Sequence, residues 1–213
     1  SFPTRRSSDL VTDFLLRRSE VHELMKFITL LSIKRPREYL FSLPLYFTQH
    51  SEIDLKQLST VNTHQELLDV LYHTTYASII SRFPPDERGD YDLAAIEDAL
   101  ENHVLSLLYR DIAKLKNKKD RPQLSGLFDE LTDYQNYSRI IRLKKYYHLG
   151  NDAVRTHLLQ YGSLTGKRLD RILLKDSFEE IYQALGETSV GKRARRIDQQ
   201  SEMAIQGRYE RCR

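Results

Sequence analysis

The chain has 213 residues, 40% of them apolar and 30% charged, with a formal net charge of +3. This composition excludes a disordered polymer, and the length allows one large or two small domains. The longest nearly apolar run, about nine residues from Tyr39 to Phe47, is broken by Ser42 and Pro44 and falls well short of the roughly 20 residues of a membrane-spanning helix. A single cysteine, Cys212, excludes an internal disulfide and any cysteine-based zinc site, and points to a reducing, cytoplasmic compartment.

The first ten residues, SFPTRRSSDL, are polar and basic and lack the apolar core of a secretory signal. They read as the translation of a sequencing adapter, so Arg5 and Arg6 are given no function. From Val11 to Ile33, apolar residues recur at helical spacing through Phe14, Val21, Leu24, Ile28 and Leu31. Pro36 opens a second helix expected to reach about Phe47, with Pro44 kinking or ending it. A short helix is expected over Ser51 to Ser59. Thr63-His64-Gln65-Glu66 has the form of a capping box and starts another helix. Thr74 to Phe83 reads as a weaker helix, and Pro84, Pro85 and Gly89 then mark an internal boundary.

Asp92 to about Lys116 is a long amphipathic helix, with a stripe through Leu93, Ile96, Leu100, Val104, Leu107, Leu108, Ile112 and Leu115. After a charged turn, Pro122 opens a helix that carries TDYQNYSRIIRLKKYY and is expected to end at Gly150 as a left-handed cap. Helices are expected over Asp152 to Gln160 and Arg168 to Leu174, with a turn over Gly162 to Gly166. Ser177-Phe178-Glu179-Glu180 is a second capping box. Asp198 to Arg213 reads as helical, without a cap signal. No segment alternates with a strand's period of two, so the fold class is all-α.

Two pairs of segments match at nearly one offset. Glu20 to Leu31 aligns with Asp133 onward at 113 residues, setting Glu20 against Asp133, Lys26 against Arg139, and Phe27 and Ile28 against Ile140 and Ile141. Asp54 to Leu71 aligns with Arg168 to Leu185 at 114, setting Thr63 against Ser177 and Glu66 against Glu180. Two matches in register imply a duplicated helical unit. The chain therefore divides into 1–10, a helical lobe over 11–85, a second over 86–190, and a basic helical tail over 191–213.

Catalytic signals are weak. His22-Glu23 opens like a zinc-protease motif, but Lys26 stands where the second histidine is required. GSLTGKR, Gly162 to Arg168, resembles a phosphate-binding loop, yet its glycines are one residue too close, Arg168 replaces Ser or Thr, and no strand precedes it. The seven histidines are scattered. No metal, cofactor or catalytic set is expected, and the chain reads as a non-enzyme. The tail from Gly186 carries seven Lys/Arg against four Asp/Glu, but Lys192, Arg193, Arg195 and Arg196 are not interleaved with aromatic residues that could stack on bases. It reads as a solvated flank, and nucleic-acid binding ranks low.

On the Pro122 helix, Arg139, Arg142 and Lys145 fall within one arc, a basic strip that is either solvated or faces a partner. These three are the candidate partner contacts. Upstream, Leu124, Leu127, Leu131 and Tyr134 form an apolar stripe rotated away from the downstream apolar face. The expectation is a helix that is bent, or buried on different sides along its length.

RIIRLKKYY after DYQNYS, a short helix, LLQYGSL and the capped SFEEI helix together resemble the C-type subunit of V/A-type ATPases, the counterpart of the d-type subunit in eukaryotes. FLLRRSEVHELMKFI, Phe14 to Ile28, resembles the equivalent segment of an earlier repeat. The resemblance covers Val11 to Leu185 best. It implies a non-catalytic, all-helical, funnel-shaped subunit of three related lobes, peripheral on the cytoplasmic face of the membrane. Such a subunit links the central axle to the rotor ring and transmits torque for proton or sodium transport, as a single copy in a hetero-oligomer. On that comparison the chain is a fragment lacking the N-terminal lobe. The alternative reading is a helical-repeat adaptor that binds another protein.

Overall fold

The computed structural model describes residues 7–44, 50–117, 119–175, 177–194 and 196. Among these residues every regular element is helical and none is a strand, so the fold is all-α. The chain forms two compact units, Ser1–Pro122 and Gln123–Arg213.

In the first unit, α1 (Ser7–Ser32) and α5 (Leu93–Ala113) pack side by side. Asp92 caps α5 by accepting the Ala95 N–H at 3.0 Å, and the α5 stripe from Ile96 through Ile112 is buried. The two helices are antiparallel. Asp111 near the end of α5 pairs with Arg17 near the start of α1 at 3.2 Å, while the Tyr91 N–H just before α5 reaches Ser32 Oγ at 3.4 Å. The other side of α1 meets a 3-10 helix (Pro36–Ser42), where Tyr39 stands edge-on to Phe27, with centroids 5.5 Å apart, and donates its hydroxyl to Glu23 at 2.9 Å. Desolvation and the Glu23 carboxylate raise the Tyr39 phenol far above its ordinary range. Three short helices complete the unit: α2 (Leu55–Leu58), α3 (His64–Leu71) and α4 (Ala77–Ile80). Asp86 closes the Pro84–Gly89 turn, accepting the Arg88 and Asp90 N–H groups at 2.9 Å each, so that α5 folds back onto α1.

The second unit is organised by α6 (Asp120–Lys145), followed by α7 (Asn151–Thr156), α8 (Gly166–Leu173) and α9 (Phe178–Gly186). Its core joins Tyr137, Ile140, Val154, Leu158, Leu164, Ile172, Leu173, Ile181 and Leu185. At roughly 25 cal/mol per Å² of apolar surface, such a cluster supplies the main drive for folding the unit.

Several local expectations are corrected. The helix expected from Pro36 to Phe47 is a 3-10 helix that ends at Ser42, and residues 45–49 lie outside the described residues. The segment from Thr74 to Phe83 contracts to the single turn α4. Helix α6 stops at Lys145, and Gly150, at φ −63°, is not its left-handed cap but the residue preceding α7. The left-handed position is His148, at φ 51°. The turn closes early because the Leu149 N–H returns to the Leu143 carbonyl at 3.1 Å, and Lys144 Nζ bridges Leu149 O and Asn151 Oδ1. The tail expected to be helical over Asp198 to Arg213 lies outside the described residues.

Positions one offset apart make like contacts. Thr63 Oγ1 accepts the Glu66 N–H at 3.2 Å, and Ser177 Oγ accepts the Glu180 N–H at 3.2 Å. Leu55 and Leu169, Leu58 and Ile172, Leu67 and Ile181, and Leu71 and Leu185 are all buried. Among the described residues the non-glycine positions with positive φ are Lys34 and His148, 114 apart, each in the turn that follows a long helix.

Candidate partner-binding surface

Helix α6 has an inner face that is half polar. Phe128, Thr132, Asp133, Asn136, Tyr137 and Ile140 are buried along it. A buried polar side chain is costly unless bonded, and each of these is. Thr132 returns its hydroxyl to Phe128 O at 2.8 Å. Asn136 brackets one backbone position, donating to Leu159 O and accepting from Leu159 N, both at 2.9 Å. That clamp fixes the chain just after α7.

Asp133 organises the next loop. Its carboxylate accepts the Ser163 N–H at 2.6 Å, the Leu164 N–H at 2.8 Å and the Ser163 hydroxyl. Gly162 is required there. Its φ is +88°, and a Cβ would lie 2.5 Å from Asp133 Oδ1. The loop that resembles a phosphate cradle therefore spends its amides on a carboxylate from within the protein. Arg168 Nη1 donates to Ser163 Oγ at 3.1 Å, which further occupies the turn. An open cleft of about 220 Å³ adjoins it, lined by Gly126, Asp129, Glu130, Asp133, Ser163, Ser189, Val190 and Arg193, and within it Arg193 pairs with Glu130. Of the other rejected motif, Glu23 is bonded to Tyr39 and His22 is exposed. Among the described residues no group of three or more His, Cys, Asp or Glu could hold a metal ion.

The three candidate contacts do not stay together. Arg139 is turned inward, and its Nη1 donates to His157 O at 2.6 Å in a half-buried setting. Arg142 and Lys145 are exposed, with Lys145 Nζ 5.4 Å from the Tyr146 ring centroid. Tyr146 and Tyr147 beside them are also exposed. Lys144 is held inward by its two bonds, and partial burial lowers its ammonium pKa.

The upstream stripe corrects the expectation of a helix buried on different sides. Leu127, Leu131 and Tyr134 are each 51% exposed, and Leu124 is half-buried. Spacings of three and four residues carry this line on through Ser138, Arg142 and Lys145, all exposed. The outer face of α6 is thus apolar in its first half and basic in its second. Its residues were visible in the sequence, but their exposure was not. A Leu-Leu-Tyr stripe reads as core unless the neighbouring elements are known to lie elsewhere.

These features define a class: an all-α protein in which, among the described residues, no helix is long and apolar enough to cross a membrane, whose long helices make like contacts at like positions, and whose α6 carries an exposed apolar and basic face. The chain belongs to the ATP synthase (C/AC39) subunit family, whose model matches residues 4–213, and is thus a subunit of a V/A-type ATPase, a complex that transports ions. No curated protein and no solved structure matches the chain significantly.

Proposed function

We propose that the chain is a non-catalytic coupling subunit of the central stalk, which joins the axle of a rotary V/A-type ATPase to its membrane rotor ring and carries torque for proton or sodium transport. The family match over residues 4–213 carries this reading. The physical character of the fold agrees with it. Torque transmission needs a stiff body, and close-packed helices with clamped loops provide one. It needs surfaces for partners rather than acid–base groups, and the exposed Arg142–Lys145 end of α6 offers such a surface. Arg139 contributes by holding His157, so partner contact falls to Arg142 and Lys145. The subunit is peripheral, on the cytoplasmic face, and present as one copy among unlike subunits.

Assembly with the other ATPase subunits tests this. A tagged chain should co-purify axle and rotor-ring subunits, and Arg142→Glu with Lys145→Glu should reduce their recovery while helix content is kept. Recovery of unrelated proteins in place of ATPase subunits would favour the adaptor reading.

A further inference from the structure

Helix α8 carries a cationic outer face. At about 100° per residue, Leu174, Lys167, Arg171 and Arg168 fall within an arc of about 120°, away from the buried Leu169, Ile172 and Leu173, and Lys175 follows the last turn. The four cations and Leu174 are all exposed. The one carboxylate on the helix, Asp170, is taken by Arg155 of α7 at 2.9 Å. Arg168 donates to Ser163 Oγ and Arg171 Nε to the Lys167 carbonyl, but none of the four cations pairs with a carboxylate among the described residues. The duplicated unit shows that the fold does not require this charge. At the offset of 114, Lys167, Arg168, Arg171 and Lys175 correspond to Ile53, Asp54, Gln57 and Val61, and the one cation there, Lys56, aligns with Asp170. Leu55 with Leu169 and Leu58 with Ile172 keep the shared core, while Ile53 and Val61 are buried where the lysines stand in solvent.

We infer that the outer face of α8 is the docking site for an acidic protein segment of a neighbouring ATPase subunit, which sets carboxylates about 6 Å apart against Lys167, Arg171 and Lys175. Charge complementarity selects the occupant: a face of four cations without a carboxylate of its own is filled at least cost by carboxylates, and Arg171 between two lysines offers a fork that fits one of them. A bilayer fits less well, because the apolar side of α8 lies in the core and Leu174 alone is left to enter lipid. A second copy of the chain would bring like charges together on this face. The inference uses membership of the ATPase and not the stalk position of the chain.

The test is cross-linking with a carbodiimide, which joins a lysine amine to a carboxylate in direct contact, on the intact ATPase assembled with this chain and read by mass spectrometry. Docking predicts cross-links from Lys167 and Lys175 to aspartate or glutamate of another subunit, and acetylation of both lysines slowed in the complex relative to the free chain. Arg171→Glu, between the two lysines, should lower the cross-link yield about fivefold or more with the circular dichroism unchanged, and Arg171→Lys should keep most of it. Cross-links confined to carboxylates of the chain itself would overturn the inference, as would equal acetylation in the complex and the free chain or a yield unchanged by Arg171→Glu. So would protection in the free chain that disappears when residues 197–213 are removed, or protection by vesicles of phosphatidylcholine and phosphatidylserine with none in the detergent-solubilised complex. Cross-links to a subunit of the catalytic head would sustain the docking and discard the stalk reading. Their absence alongside normal recovery of axle and ring subunits would discard the docking alone.

Discussion

Glu20 and Asp133, 113 residues apart, do the same work: each is a buried carboxylate on a long helix that accepts a backbone N–H from a loop about 30 residues downstream. Glu20 takes the Glu52 N–H and the Tyr76 hydroxyl, the latter at 2.6 Å. Asp133 takes Ser163 and Leu164. In both units the bonded loop leads directly into the helix whose first buried leucine is Leu55 or Leu169. A single acidic position thus ties the organising helix to the rest of its unit.

Removing Asp133 should cost more than an average core substitution. Asp133→Ala strands the buried Leu164 N–H, where an unsatisfied group costs on the order of 1–3 kcal/mol, and removes the acceptor of the part-buried Ser163 N–H and hydroxyl, which can turn to water. Urea unfolding of the variant should show a loss of about 2–3 kcal/mol. Asp133→Asn retains an acceptor and should lose roughly half as much. Equal losses would mean that the carboxylate's hydrogen bonds are not what matters.

Gly162→Ala should destabilise the same loop from the other side. Left-handed backbone costs a side-chain-bearing residue about 1–3 kcal/mol, and here the new methyl also meets the Asp133 carboxylate. A fall in melting temperature is expected. Combined with Asp133→Ala, the two losses should be clearly less than additive, because the clash disappears with the carboxylate. Strict additivity would argue against the contact.

Mild acid should weaken the first unit. Burial lowers the pKa of His103, whose Nε2 has no hydrogen-bond partner, and burial lowers that of His64 as well. Between the unfolded value of about 6.5 and the lower folded value, the unfolded chain binds more protons, so stability falls as pH drops below about 6.5. His103→Gln should flatten that slope in pH-dependent unfolding measurements. An unchanged slope would show that His103 does not contribute to it.

The basic residues of α6 should separate by role. Arg139→Ala removes the bond to His157 O and should lower stability by about 1–2 kcal/mol. Arg142→Ala and Lys145→Ala should leave the melting temperature within about a degree and act only on assembly, since exposed substitutions usually stay within ±0.5 kcal/mol. Thermal melts beside co-purification distinguish the two classes.

Much of this was legible in the residues. Caps at Thr63, Asp92 and Ser177 signal helix starts because the acceptor is local, and each does its work within three residues. The periodic stripe of α5 is buried at the positions its spacing implied, with Leu93 half-buried at the edge. What escaped were features set by distant partners. Gly150 is the better left-handed residue by propensity, but the Lys144 and Leu149 bonds place the turn at His148. Asn136 and Asp133 look like surface residues of a polar helix, and their clamps to Leu159 and Ser163 exist only once α6 meets its neighbours. The same applies to Arg139: periodicity groups it with Arg142 and Lys145, while the His157 carbonyl pulls it inward.

The most direct test of the central claim is a cryo-EM map of the intact ATPase assembled with this chain. The proposal predicts that the chain lies on the rotor ring beneath the axle, with Arg142 and Lys145 of α6 against a neighbouring protein of the complex. Density for the chain on the peripheral stalk or the catalytic head, or a complete central stalk assembled without it, would contradict the claim.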